Sequence, residues 1–159
     1  MHNLRCFLLV IPLFFLSITQ GVAMTIFGIG EKCAASEINV VVTRDGKPLV
    51  GAAVQRSVKW MDVGREVDTT TTDENGAFHF PAKYMFSLKH NMFPLEMVST
   101  TLIYVEVDGV MQKIIVAIKR YHTEGVEYGG HRHLRCEIND EPRFESFNAS
   151  IIETRCRWD

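Results

Sequence analysis

Residues 120–136, "RYHTEGVEYGGHRHLRC", gather the densest set of chemically able side chains in the sequence: His122, His131, His133 and Cys136. His131 and His133 are two positions apart, so on an extended strand they would project from one face. Imidazoles at that spacing can chelate zinc or copper, and a neighbouring strand could bring His122 close. Against that chemistry, Gly125 to Gly130 reads as a loop with the histidines solvated at its rim. Cys136 is better placed in a disulfide, which removes it as a thiolate ligand. The leading expectation is therefore no catalytic residue, no cofactor and no metal, with His122, His131 and His133 as the candidates should a metal bind.

Other chemistries find less support. No serine stands in a G-x-S-x-G elbow, and Cys33 has no local histidine to activate it. Asp68, Asp73 and Glu74 lie at or near turns, where solvation explains them. "DENG" (73–76) is too short for a calcium loop and lacks its later glutamate. Asn148-Ala149-Ser150 fits a glycosylation acceptor, a triplet that arises often by chance. Trp60, Phe86, Phe93, Tyr121, Tyr128 and Trp158 are aromatics near loops, available either as caps on a core or as a protein or glycan contact.

The elements that must position these residues are extended. "INVVVTR" (38–44) puts Ile38, Val40 and Val42 on one face. "DGKP" is a tight turn, and "AAVQRSVKW" (52–60) returns as a strand. Arg56 interrupts the apolar face of that strand, which points to a position near an edge. "MDVGRE" reads as a loop and "VDTTTT" (67–72) as a third strand. After the "DENG" turn, "AFHFP" sends Phe78 and Phe80 inward and His79 outward. Residues 83–95 lack alternation and read as a crossover with a short helix. "MVSTTLIYVEVDG" and "VMQKIIVAIKRYH" form a hairpin about Asp108-Gly109, and "HLRCEI" (133–138) is a further strand.

About seven short strands with little helix predict an all-β antiparallel sandwich. Its core would take Val40, Val42, Val54, Phe78, Phe80, Tyr104 and Ile115, or the alternate residues of those strands. Cys136 and Cys156 are expected to pair in the oxidising compartment that an exported chain reaches, with Cys33 either free or the true partner of one of them.

The N-terminus is different in kind. "MHNLRCFLLVIPLFFLSITQGVA" has Arg5, an apolar run from Cys6, and Val22 and Ala23 at the small positions of a cleavage site. No Asp, Glu, Lys, Arg or His occurs from Cys6 to Gly30, long enough to span a bilayer if retained. Residues 1–23 thus read as a signal peptide or, extended to about 30, as a membrane anchor. Residues 24–36 follow as a linker, 37–140 as the sandwich, and 141–159 as an extension docked on it. A net charge of −2 gives no basic footprint for nucleic acid.

"VTRDGKPLVGAAV" (42–54) followed by "TTDENGAFHFP" (71–81) resembles the carboxypeptidase-regulatory-like or transthyretin-like β-sandwich domains. Their pattern is a strand, then G-x-P-[VL]-x-G-A-x-V, then T-D-x-x-G-x-F-x-F. The resemblance implies a fold, not an activity. The whole chain also looks like short, uncharacterised bacterial exported proteins with an N-terminal hydrophobic segment, this domain and a C-x-W ending, here Cys156-Arg157-Trp158. That likeness implies an envelope location, periplasmic or anchored in the inner membrane and facing the periplasm. Hydroxyisourate hydrolases within the wider fold end in Y-R-G-S, which this chain lacks, so their catalysis does not carry over. The expected function is a non-enzymatic exported binding or accessory module recognising a protein or envelope component. It would touch the membrane only through an uncleaved N-terminal segment. The alternatives are a small metal-assisted hydrolase using the histidine cluster, or an immunity-type protein of a secretion system.

Overall fold

The computed structural model describes residues 30–61, 63–93, 95–120, 122–147 and 150–158. The N-terminal signal or anchor, Tyr121, and Asn148 and Ala149 of the acceptor triplet lie outside the described residues. The chain is mostly strand. Its elements run β1 (Lys32–Ala35), β2 (Ile38–Arg44), β3 (Lys47–Pro48), β4 (Ala53–Trp60), β5 (Gly64–Thr71), β6 (Ala77–Phe80), β7 (Lys83–Met85), α1 (Leu88–Met92), β8 (Ser99–Val107) and β9 (Val110–Lys119). A 3-10 turn (Val126–Tyr128) then leads to β10 (His133–Glu137), β11 (Arg143–Phe147), β12 (Ser150–Thr154) and β13 (Cys156–Trp158).

Two larger sheets face each other. One has the order β11-β12-β9-β8-β4-β5; the other is β13-β10-β2-β3, with β6 also paired to β2. Between them lies the main core, which includes Ile38, Val40 and Val42 from β2, Phe78 and Phe80 from β6, Ile103 and Val105 from β8, and Leu134 and Ile152. This sandwich-like burial follows from alternation: successive strand side chains point to opposite faces, so one face of β2 carries its whole apolar set inward.

The expected strands recur with instructive differences. The residues read as a loop before β5 are partly strand, since β5 pairs with β4 from Gly64 to Thr71. β4 is not an edge: β5 flanks it on one side and β8 on the other. Arg56 faces inward and is buried because each part of its guanidinium is partnered. It donates to Asp68 Oδ2 at 3.0 and 2.6 Å and to the Pro81 carbonyl at 2.8 Å, and it lies 4.6 Å over the Phe80 ring. Ile103 and Val105 take the core positions expected for Tyr104, which stands on the other face of β8. A bulge explains why both Ile114 and Ile115 are buried on β9: Ile103 pairs with Ile115 but Tyr104 with Lys113.

β10 runs parallel to β2, with His133 beside Asn39 and Cys136 beside Val42. β3 to β9 separate these two strands in the chain, and the connection from β9 in the opposite sheet brings the chain back to lay β10 beside β2. The final residues supply β11, β12 and β13, which are paired into the two sheets. Cys136 and Cys156 stand opposite each other in the β10–β13 ladder and are disulfide-bonded.

Tight turns have the chemistry their geometry demands. Asp45-Gly46 and Asp108-Gly109 both adopt positive φ at both positions, the conformation that closes two-residue hairpins. Gly76 is the most constrained glycine. Its φ is +73°, its carbonyl accepts from Val42 N at 2.8 Å, and a Cβ would run into the Val42 carbonyl oxygen. Gly76→Ala should therefore cost at least about 2 kcal/mol, left-handed strain and displaced backbone together. Urea unfolding measures this; a change within error would mean the Asp73–Gly76 turn relaxes freely.

Candidate functional site

β1 and β7 form a two-stranded sheet over one end of the molecule, above a second small core of Ala34, Ala35, Val58, Trp60, Met85 and Met97. Beneath β1 lies the most chemically equipped cluster among the described residues. Lys119, the last residue of β9, alternates in phase with the inward Ile115 and Ala117 and so points into the interior. Its Nζ sits 3.1 Å from Glu127 Oε2 on the 3-10 turn, and both residues are buried. The same Nζ donates to Ser36 Oγ at 3.1 Å and to Cys33 Sγ at 3.2 Å. Glu127 accepts from the Ser36 backbone N–H and from the Ser36 hydroxyl, each at 2.7 Å, and Ser36 Oγ accepts from Gly125 N at 2.6 Å.

A thiol, an amine, a hydroxyl and a carboxylate within hydrogen-bond reach have the composition of a nucleophilic site. Their environment argues otherwise. Burial pushes the Cys33 thiol up despite the Lys119 charge beside it, so it stays protonated and donates to the Ala35 carbonyl at 3.4 Å. Cys33, Ser36, Lys119 and Glu127 are each 3% exposed or less. The cluster is a clamp: it joins the β1–β2 junction, the end of β9 and the 3-10 turn through one fully hydrogen-bonded ion pair. Tyr128, one of the loop aromatics available as a cap or a contact, is also buried here, and desolvation drives its hydroxyl far above the usual range.

The sequence-derived histidines go to different places. β10 begins at His133, so His131 is not on the strand. It lies in the turn after Gly129 and Gly130, where its N–H bonds the Tyr128 carbonyl at 3.0 Å. Its ring stacks on Trp158 at 5.4 Å. Trp158 meets Phe147 edge-on at 5.3 Å and donates its indole N–H to Glu145. His122 is exposed in the connection from β9. Among the described residues no group of three or more His, Cys, Asp or Glu is placed to hold a metal ion.

His133 instead takes part in a surface feature that the sequence did not announce. A cleft of about 580 Å³ is lined by Asn39 on β2, His79 on β6 and His133 on β10, with Thr70, Thr71 and Asp73 from β5 and the turn that follows it. Asn39 pairs with His79 on one side and His133 on the other, so the three stand in one row on the outer sheet face. The row presents an amide between two imidazoles, a set that both donates and accepts hydrogen bonds. The signal was present in the alternation of "AFHFP" and "HLRCEI", but only the parallel β10–β2 pairing places the two histidines together. Glu37 lies beside the row, 3.4 Å from His79 Nε2 and 3.2 Å from the Arg132 guanidinium.

Asp68 holds the rim strand β5 to its neighbours, receiving Arg56 and also Lys83 Nζ at 2.6 Å. Partial burial pulls its carboxyl upward. The hydrogen bonds and charges of Lys83 and Arg56 outweigh that and hold it below the usual range. Glu137 is likewise lowered: slight desolvation opposes, but it is overcome by hydrogen bonds from Gly46 N, Thr43 Oγ1 and Asp45 N. A carboxyl with a depressed folded pKa contributes stability above its unfolded pKa and loses it as pH falls through the folded value. Stability should thus be flat near neutrality and fall below the ordinary carboxylate range. Asp68→Asn should be less stable at neutral pH and show a shallower acid loss, read by denaturant midpoints at several pH values. An unchanged slope would mean the Arg56–Asp68–Lys83 group does not couple to folding.

No curated protein and no solved structure matches the chain. The family comparison is positive: the profile described as Domain of unknown function (DUF6795) matches residues 38–141, which carry β2 through β10, the Asn39 row and the clamp residues Lys119 and Glu127. The chain belongs to the DUF6795 family.

Proposed function

We propose that this chain is a non-enzymatic binding module of the bacterial envelope, built as a transthyretin-like sandwich. It is exported by its N-terminal segment and recognises a protein or envelope component through the cleft across β2, β6 and β10. The observation that carries this reading is the division of labour between interior and surface. The Cys33 thiol, the Lys119 amine and the Glu127 carboxylate are committed to one another in the buried clamp, whereas the Asn39, His79 and His133 row lies open beside the threonines of β5. Open polar clefts with a few convergent hydrogen-bonding groups suit recognition. The apolar run of residues 6–30 and the cystine between β10 and β13 favour the exported location.

The test is retrieval from solubilised envelopes by wild-type protein and by Asn39→Trp, which fills the cleft from an outward position and should leave the fold intact by circular dichroism. Wild type is expected to enrich a partner that Asn39→Trp loses. Equal enrichment by both, or none by either, would refute recognition at this cleft.

A further inference from the structure

The end of the molecule opposite the β8–β9 hairpin is apolar where it should be wet. Phe86, Leu88, Met92, Phe93 and Leu95, from β7 through α1 and beyond, are all exposed, and Met61 at the β4–β5 turn is 66% exposed. These belong to one end. Met61 N bonds the Val98 carbonyl just before β8, and the Trp60 ring lies 4.9 Å from His90 of α1. Several exposed apolar side chains gathered at one end of a domain mark a contact.

What covers it is indicated by where the uncharged N-terminal stretch arrives. The run without Asp, Glu, Lys, Arg or His ends at Gly30. Gly30 is fastened to α1 by both of its backbone groups: its N–H to Asn91 Oδ1 at 3.4 Å, and its carbonyl from Asn91 Nδ2 at 3.1 Å. A bilayer-length apolar segment thus delivers the chain directly onto α1, beside the exposed patch. Residues 86–95 contain no acid, the next being Glu96, so no carboxylate within that run has to be desolvated at an apolar interface.

We propose that this end docks on the lipid bilayer, with Leu88, Met92 and Phe93 set into the interface and Met61 beside them. The docking rests on the envelope reading with residues 6–30 retained as the anchor. It orients the domain: with the anchor at Gly30 pinned to α1, the long axis of β8 stands away from the membrane. The Val107–Val110 hairpin then lies roughly 25 Å from the lipid, at about 3.3 Å per strand residue.

Three methionines make this measurable, because sulfoxide formation follows access. Met61 and Met92 are in the patch, and Met111, which is less exposed than either, is at the far hairpin. The full chain is reconstituted in vesicles of phosphatidylethanolamine and phosphatidylglycerol. It is treated with a charged, membrane-impermeant oxidant, and sulfoxide at each methionine is followed by mass spectrometry. Met61 and Met92 should oxidise several-fold more slowly than Met111. The pair Leu88→Asp and Phe93→Asp should abolish that protection while the chain stays with the vesicles after an alkaline wash. Anchored wild-type chain whose Met92 oxidises as fast as Met111 overturns the docking and leaves the envelope reading standing. Protection that survives the aspartates means a second copy or another segment covers the patch, and also overturns it. Chain stripped from the vesicles by alkali overturns the anchor and the docking together.

Discussion

Glu127→Ala should destabilise the domain by about 3–5 kcal/mol, because it leaves the Lys119 ammonium buried without a counter-charge. Such a loss is a large fraction of the roughly 5–15 kcal/mol that holds a domain of this kind together. The effect reaches beyond the pair. Glu127 also accepts both the N–H and the hydroxyl of Ser36, so its removal loosens the β1–β2 junction and the 3-10 turn together. Lys119→Met should cost less, since Glu127 keeps its two Ser36 bonds. Combining Lys119→Met with Glu127→Gln should recover part of the loss by removing both charges from a low-dielectric site. Urea denaturation of Lys119→Met, of Glu127→Gln and of the double variant completes the cycle. Additive losses would mean the two charges do not feel each other. In Glu127→Ala, Cys33 should also become alkylatable in the native state, reporting that the clamp has opened.

The second large effect is loss of the disulfide. The Cys136–Cys156 bond closes a sequence separation of 20, and removing the constraint from the unfolded chain should cost about 3 kcal/mol. Among the described residues β13 pairs with β10 alone, and it carries Trp158 against His131 and Phe147, so the Cys136→Ser, Cys156→Ser variant should first lose order there. Thermal unfolding of the oxidised protein and of this variant measures the cost. Hydrogen exchange should show the residues of β13 opening before those of β9. A variant as stable as the oxidised protein would mean that packing of Trp158 alone fixes the terminal strand.

Local chemistry was legible in the sequence where one short stretch decided the outcome. Asp108-Gly109 and Asp45-Gly46 demand positive φ, and both close turns. Ile38, Val40 and Val42 alternate, and all three are buried. The cysteine pairing could be anticipated from the position of both residues in the C-terminal section. Arg56 misled because a charge on an apolar face looks like an edge until its partners are known, and Asp68, Pro81 and Phe80 come from three separate segments. Lys119 carried a signal in its phase with Ile115 and Ala117. Its partners Ser36 and Glu127, however, are 83 and 8 positions away in the chain, and no periodicity links them.

The candidate site was the least legible part for the same reason. His133 drew notice for its neighbour His131, two residues away, yet the turn at Gly129 and Gly130 sends His131 to Trp158. The residue that stands in line with His133 is His79, two strands across. That alignment requires the parallel β10–β2 ladder, which depends on a crossover between sheets rather than on any local pattern. β1 and β7 were missed as a layer because each is short and gains its place only by covering Trp60 and Met97.

Photo-crosslinking in living cells tests the recognition surface most directly. A photoreactive amino acid is placed at Asn39 or His79 in the cleft, or at Gln112 on the far sheet as a control. Discrete adducts of one size are expected from positions 39 and 79 and none from 112. Adducts from 112 alone, or no adduct from the cleft while the protein is folded and exported, would contradict recognition there.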